Sequence, residues 1–157
     1  MRMIKAFAAI AAMIVMAACS SEQQAAAPAT TTTIAPGSVA DFRQNVGDRV
    51  FFDTDMSTIR DDGRTTLNRQ AEWLKKYTNY PITIEGHCDE RGTDEYNRSL
   101  GERRAQAIRA ELVKVGVDAT RVDTVSFGRD RPVDTSHSEA SHRKNRRGEF
   151  VVLTPPK

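Results

Sequence analysis

Ile82-Thr83-Ile84-Glu85-Gly86-His87-Cys88-Asp89-Glu90-Arg91-Gly92-Thr93-Asp94-Glu95-Tyr96-Asn97-Arg98-Ser99-Leu100-Gly101-Glu102-Arg103-Arg104-Ala105 is the stretch on which the fold turns. It opens with apolar and polar residues in alternation at Ile82–Glu85, the period of a strand with one buried face. It crosses a polar loop bracketed by Gly86 and Gly92. It ends in a helical pattern from about Asp94 to Val115, with Leu100, Ile108, Leu112 and Val115 on one side, and Gly116 stands where a C-cap glycine stops it. A strand handed on to a long helix implies a crossover connection and some parallel pairing.

Working outward, Arg49-Val50-Phe51-Phe52-Asp53 reads as an earlier strand, rich in β-branched and aromatic residues. Asp61 or Asp62 can cap a following helix. In that helix Leu67, Ala71 and Leu74 form one stripe, with Trp73 expected at its edge, and Pro81 breaks it. Downstream, Val122–Phe127 reads as a third strand and Phe150–Leu153 as a fourth. The Ser-rich segment between them reads as a long loop, with His137 and His142 solvated. The order is β-α-β-α-β, a loop, then β. It predicts an α/β sandwich: one mixed four-stranded sheet covered on one face by two helices.

The amino end carries a different signal. Arg2 and Lys5 precede an unbroken run of small and apolar residues from Ala6 to Ala18. At about 13 residues the run is shorter than the roughly 20 needed to span a bilayer, and it reads as a cleavable signal, residues 1–18. Met16-Ala17-Ala18-Cys19 resembles a lipobox, with Met16 where Leu is usual. Cys19 is therefore the expected lipidation site, and several acyl chains would make a permanent anchor. Ser20 rather than Asp follows it, which by resemblance to bacterial sorting rules favours the outer membrane, on its periplasmic face. Residues 19–40 read as the lipidated amino end and a linker, low in complexity and poor in large apolar side chains. Residues 20–40 would reach about 70 Å stretched and about 25 Å as a coil. Residues 41–157 remain as one domain.

The whole chain carries +2, and Arg2 and Lys5 account for both charges. The mature chain is formally neutral, which weakens any nucleic-acid reading. Residues 19–97 hold 8 basic and 13 acidic side chains, and residues 98–157 hold 13 basic and 8 acidic, so the two halves should attract each other. With Cys19 acylated, Cys88 is the only thiol left and no internal disulfide can form.

The densest polar stretch lies where a strand meets a helix, and ligands of α/β sheets collect at the carboxyl ends of strands. The run GHCDERGTDEYNRSLGERRA, the helix positions Asn97, Leu100, Gly101, Arg104, Ala105, Ile108 and Leu112, the VFFDTD and VSFGRDRP stretches, and the KNRR before the last strand together resemble the OmpA-like C-terminal domain family, in particular its Tol-Pal branch. The resemblance covers about residues 46–153. It implies non-covalent recognition of peptidoglycan through meso-diaminopimelate, whose free end bears an ammonium and a carboxylate. On the family pattern Asp89 takes the ammonium and Arg104 the carboxylate, for which a bidentate fork is the natural partner. Asp55 matches a second acidic contact and Asn97 a polar ligand on the helix. Main-chain amides at the helix start are expected to help. The resemblance also implies a TolB-like periplasmic partner, other Tol-Pal components, and a role in envelope integrity and outer-membrane constriction during division. Cys88 stands where the family often has a smaller residue. Gly148 and Glu149 replace a usual apolar pair and are expected to weaken the last strand.

Two other function classes compete. His87, Cys88, Asp89 and Glu90 suggest a metal hydrolase, but adjacent residues of an extended segment point to opposite faces and cannot all ligate one ion. No His-Glu-x-x-His, nucleophile elbow or phosphate loop is present. No catalytic residue, metal or cofactor is expected. The other class is a protein-binding envelope scaffold without wall affinity, against which Asp89 and Arg104 argue.

Overall fold

The computed structural model describes residues 34–154. The expected signal segment, Cys19 and most of the expected linker lie outside these residues. A short helix α1, Val39–Asp41, runs into a wider π-helical turn, Phe42–Val46. Strand β1 is Arg49–Phe51, α2 Asp61–Lys76, β2 Ile82–His87, α3 Asp94–Lys114, β3 Val122–Gly128, α4 Glu139–Asn145 and β4 Arg147–Val152. The sheet order is β1-β4-β2-β3. β4 runs antiparallel to both neighbours, while β2 and β3 are parallel. The fold is the expected α+β one: an open, mixed, four-stranded sheet with its long helices on one face.

That face holds one core. Val50, Ile82, Ile84, Val122, Phe150 and Val152 from the sheet meet Leu67, Ala71 and Leu74 of α2 and Ala105, Ile108 and Leu112 of α3. Truncating one of the large members to Ala costs about 3–5 kcal/mol. Helix α3 approaches β2 by backbone alone: a Cβ on Gly86 would lie 1.9 Å from the Gly101 carbonyl oxygen. Thr93 caps α3 by accepting from the Tyr96 N–H at 3.2 Å, and Asp94 and Glu95 complement the dipole of its first turn.

Several expectations are corrected. Strand β1 stops at Phe51 rather than Asp53: the Phe52 N–H still bonds in register to the Arg146 carbonyl at 2.9 Å, but Arg146 is the C-cap of α4 and the partner strand begins only at Arg147. The N-cap of α2 is Arg60, and Asp61 and Asp62 fall in its first turn. Strand β4 starts at Arg147 rather than Phe150. Gly148 is no weak point: it pairs with Val50 on one side and Gly86 on the other. Ile108 Cδ1 fills the space that a Cβ there would take, at 2.1 Å. The Ser-rich loop contains a helix, α4, capped by the Ser138 hydroxyl.

At the amino end the packed chain begins before residue 41. The Tyr80 hydroxyl donates to the Gly37 carbonyl at 2.9 Å, and the Asp41 carboxylate accepts from the Gly37 N–H at 2.8 Å and from Trp73 Nε1 at 2.9 Å. Trp73, expected at a helix edge, is 6% exposed, because Phe42 packs edge-on against it at 5.0 Å between ring centroids.

Candidate binding cleft

Strands β1, β2 and β3 point the same way, so the segments leaving β1 and β2 emerge side by side. The chain entering β4 arrives at the same end. These segments and the first turns of α3 enclose a cleft of about 270 Å³. Asp55, Asp89, Asn97 and Arg104, the residues singled out from the sequence, all line it. So do Arg91, Tyr96 and Arg146, which were not chosen.

Arg104 is fully buried. Its Nε donates to the Met56 carbonyl at 2.9 Å, Nη1 to the His87 carbonyl at 2.7 Å and Nη2 to the Asp53 carbonyl at 3.0 Å. The guanidinium thus ties the loop after β1 to the end of β2, and only the remainder of its donor fork is left for a ligand carboxylate. Burial lowers its pKa from the usual value. Asn97 is turned inward as well. Its Nδ2 donates to the Arg91 carbonyl at 2.8 Å, and its own carbonyl accepts from the Cys88 thiol at 3.3 Å. Burial pushes the Cys88 pKa up to about 11, so the thiol stays protonated. Asp55 sits at the exposed rim with φ +58°, held by the Tyr96 hydroxyl, which donates to it at 3.1 Å. The Tyr96 N–H at the start of α3 is already taken by Thr93.

Asp89 is the most heavily bonded acid here. Oδ1 accepts from the Arg91 N–H at 3.1 Å and Arg91 Nε at 3.2 Å, and Oδ2 accepts from Arg91 Nη2 at 2.5 Å and Arg146 Nη1 at 3.2 Å. Burial alone would raise its pKa, but these donors outweigh burial and hold it at about 2. Glu139 of α4 closes the ring, with Arg146 Nη2 at 3.1 Å on one oxygen and Arg91 Nη1 at 3.6 Å on the other. Asp89, Arg91, Glu139 and Arg146 form a closed square of alternating charge around the cleft wall.

The square extends over α4. His142, expected to be solvated, is only 11% exposed, with Nε2 3.1 Å from Glu90 and Nδ1 3.5 Å from Glu139. His137 remains exposed and reaches the other Glu90 oxygen. His87 is buried on the opposite sheet face, its ring stacked on Phe127 at 5.6 Å. Among the described residues neither ring nitrogen has a hydrogen-bond partner; Glu85 lies 3.3 Å from Nε2 but without hydrogen-bond geometry. Burial and nearby arginines lower its pKa to about 4, so it is neutral. The charge asymmetry read from the sequence is realised locally: Asp89, Asp94 and Glu85 of the acidic half meet Arg146, Arg129 and Arg131 of the basic half.

The chain is thus an α+β module, an open mixed sheet with a charged cleft where β1 and β2 end. Residues 51–146 match the OmpA family, and the chain belongs to that family. It is 55% identical over 117 residues to the peptidoglycan-associated lipoprotein of Rhizobium meliloti, covering 74% of this chain and 66% of that protein. It is 43% identical over 100 residues to the peptidoglycan-associated lipoprotein of Pseudomonas aeruginosa, covering 64% of this chain and 59% of that one. The matched part spans about two thirds or less of these relatives. The crystal structure of the peptidoglycan-associated lipoprotein from Burkholderia pseudomallei superposes with a TM-score of 0.66 at 40% identity, over 68% of this chain and 90% of that one. The C-terminal domain of Helicobacter pylori MotB shares the fold, with a TM-score of 0.64 at 23% identity over 68% and 84%.

Proposed function

We propose that this chain is an outer-membrane lipoprotein, anchored through Cys19, whose folded domain binds peptidoglycan without covalent chemistry. The recognised group is meso-diaminopimelate in the stem peptides. The observation that carries the reading is the meeting of Asp89 and Arg104 in one cleft, an anion and a cation facing the space a zwitterion would need. Relatives named as peptidoglycan-associated lipoproteins support it. Asp89 holds the ammonium, and Arg104 offers its unused donors to the carboxylate. Asp55 and Asn97 complete the contact. Residues 1–18 are removed as a signal, the linker from Cys19 to the first packed residues near Gly37 spans from membrane to wall, and the folded domain that follows binds. Within the Tol-Pal system the chain would take a TolB-like partner at the same region and help draw the outer membrane inward during division.

Sedimentation with purified sacculi tests the reading. Wild type sediments, and Asp89→Ala and Asp55→Ala largely stay in solution, with folding checked by circular dichroism. Arg104→Ala is a weaker probe, because it also releases the loops that Arg104 clamps. Sedimentation of Asp89→Ala equal to wild type would sink the site and favour a scaffold that binds only proteins. Cys19→Ser should leave membranes and still bind sacculi.

A further inference from the structure

We propose that the Arg91 side chain is a displaceable internal ligand of the cleft: it holds on Asp89 the place that an incoming ammonium must take, and so determines which cations the site accepts. The inference rests on the peptidoglycan reading of the same site. A carboxylate offers about four lone-pair directions. On Asp89 all are used, by the Arg91 N–H, Nε and Nη2 and by Arg146 Nη1. A cation can therefore bind Asp89 only by expelling a donor.

The candidates for expulsion are unequal. The Arg91 N–H belongs to the loop backbone. The Arg146 side chain is 6% exposed, with Nε on the Phe52 carbonyl at 3.2 Å and Nη2 on Glu139 at 3.1 Å. The Arg91 side chain is 46% exposed. Its guanidinium also has somewhere to go: Glu139 lies 3.6 Å from Nη1 and the Thr54 hydroxyl 3.5 Å from Nη2. Swinging toward Glu139, it keeps a counter-ion and frees one acceptor direction on each Asp89 oxygen. An ammonium with its several N–H groups can fill those vacancies. A simple amine cannot offset the lost bidentate pair, whereas a zwitterion that also reaches Arg104 can. Arg91 is thus a specificity-determining residue that rejects cations lacking a carboxylate.

The test is calorimetric titration of the full chain in detergent with a soluble muropeptide bearing a free diaminopimelate amino end. Arg91→Ala should bind about threefold to tenfold more tightly than wild type, the scale of a partly exposed bidentate pair. Added methylguanidinium should return that variant toward wild-type affinity and leave wild type unchanged. Arg91→Lys should fall between. Equal or weaker binding by Arg91→Ala overturns the proposal. Asp89→Ala separates the two readings. If it binds like wild type, the peptidoglycan assignment of the cleft fails. If it loses binding while Arg91→Ala gains none, the Arg91 inference alone fails.

Discussion

Arg146 Nη1 lies 3.2 Å from Asp89 Oδ2, and the two side chains are 6% and 9% exposed. This is the buried edge of the charged square, and the Asp89–Arg91 edge is its exposed counterpart. The two should behave differently on mutation. Removing one partner of a buried pair leaves an uncompensated charge, so Arg146→Gln should cost about 2–4 kcal/mol in denaturant unfolding. Arg91→Ala should cost under about 1 kcal/mol. In Arg146→Gln the Asp89 carboxyl should also titrate above its present value of about 2, as read by carbon NMR. Equal stability losses in the two variants would contradict the division of the square into a fixed and a movable guanidinium.

A second prediction concerns Gly86 and Gly101. With a Cβ on Gly86 only 1.9 Å from the Gly101 carbonyl oxygen, the obstacle is backbone and cannot rotate away. Gly86→Ala must push α3 off β2. The expected loss exceeds about 3 kcal/mol, beyond ordinary overpacking. Because α3 carries Asn97 and Arg104, sacculus binding should fall with it. Gly116→Ala makes the contrast: its nearest neighbour would be Lys75 Cδ at 3.8 Å, so only the φ of +98° resists. Its cost should be smaller and its binding unchanged. A thermal melt of each variant checks both.

The strand-to-helix handover at residues 82–105 was legible because periodicity changes where hydrogen bonding changes. Helix α4 was not, because it has no apolar stripe. It is held by polar contacts: the Asn145 side chain accepts from the Val133 and Asp134 N–H groups, and the Ser141 hydroxyl donates to the Asp134 carbonyl. The start of β4 was hidden for a similar reason, since Arg147-Gly148-Glu149 shows no strand alternation and pairs because strands wait on both sides. Gly37 to Ala40 has a linker's composition, and only tertiary contacts to Tyr80 and Asp41 reveal it as packed. The four site residues came from family resemblance rather than spacing. Arg146 stood in the quoted KNRR, but its role depends on a partner 57 residues away in sequence.

The third prediction is a pH dependence. His87 titrates near 6.5 when unfolded and near 4 when folded. Between those values the unfolded chain binds more protons, so stability rises with pH there. The contribution is fully present above about pH 6.5 and is lost as pH falls toward 4, at a scale of about 2–3 kcal/mol. Asp89 acts in the same direction but lower, since its depressed pKa stabilises above 3.8 and fades toward 2. Urea midpoints between pH 7 and 4 should fall for wild type and fall less for His87→Gln. A parallel decline in the variant would remove His87 as the cause.

The last prediction uses the single tryptophan of the chain. Trp73 Nε1 donates to Asp41 at 2.9 Å, and the same carboxylate holds the Gly37 N–H at 2.8 Å and Asn45 Nδ2 at 2.7 Å. Asp41 therefore fastens α1 and the turn after it over the indole. These bonds keep its pKa below the usual carboxylate range, led by the one from Asn45. Asp41→Ala removes three donors' partner at once, and hydrogen bonds to a charged group are each worth about 1.5–3 kcal/mol when buried. At this half-exposed site the expected loss is nearer about 1.5–2 kcal/mol. The decisive readout is local: with its cover loosened, Trp73 should emit at longer wavelength and be quenched faster by acrylamide, while sacculus binding at the opposite end of the sheet stays as it was. Unchanged emission would mean that Phe42 and Tyr80 hold the segment without Asp41, and that the carboxylate is a passenger there.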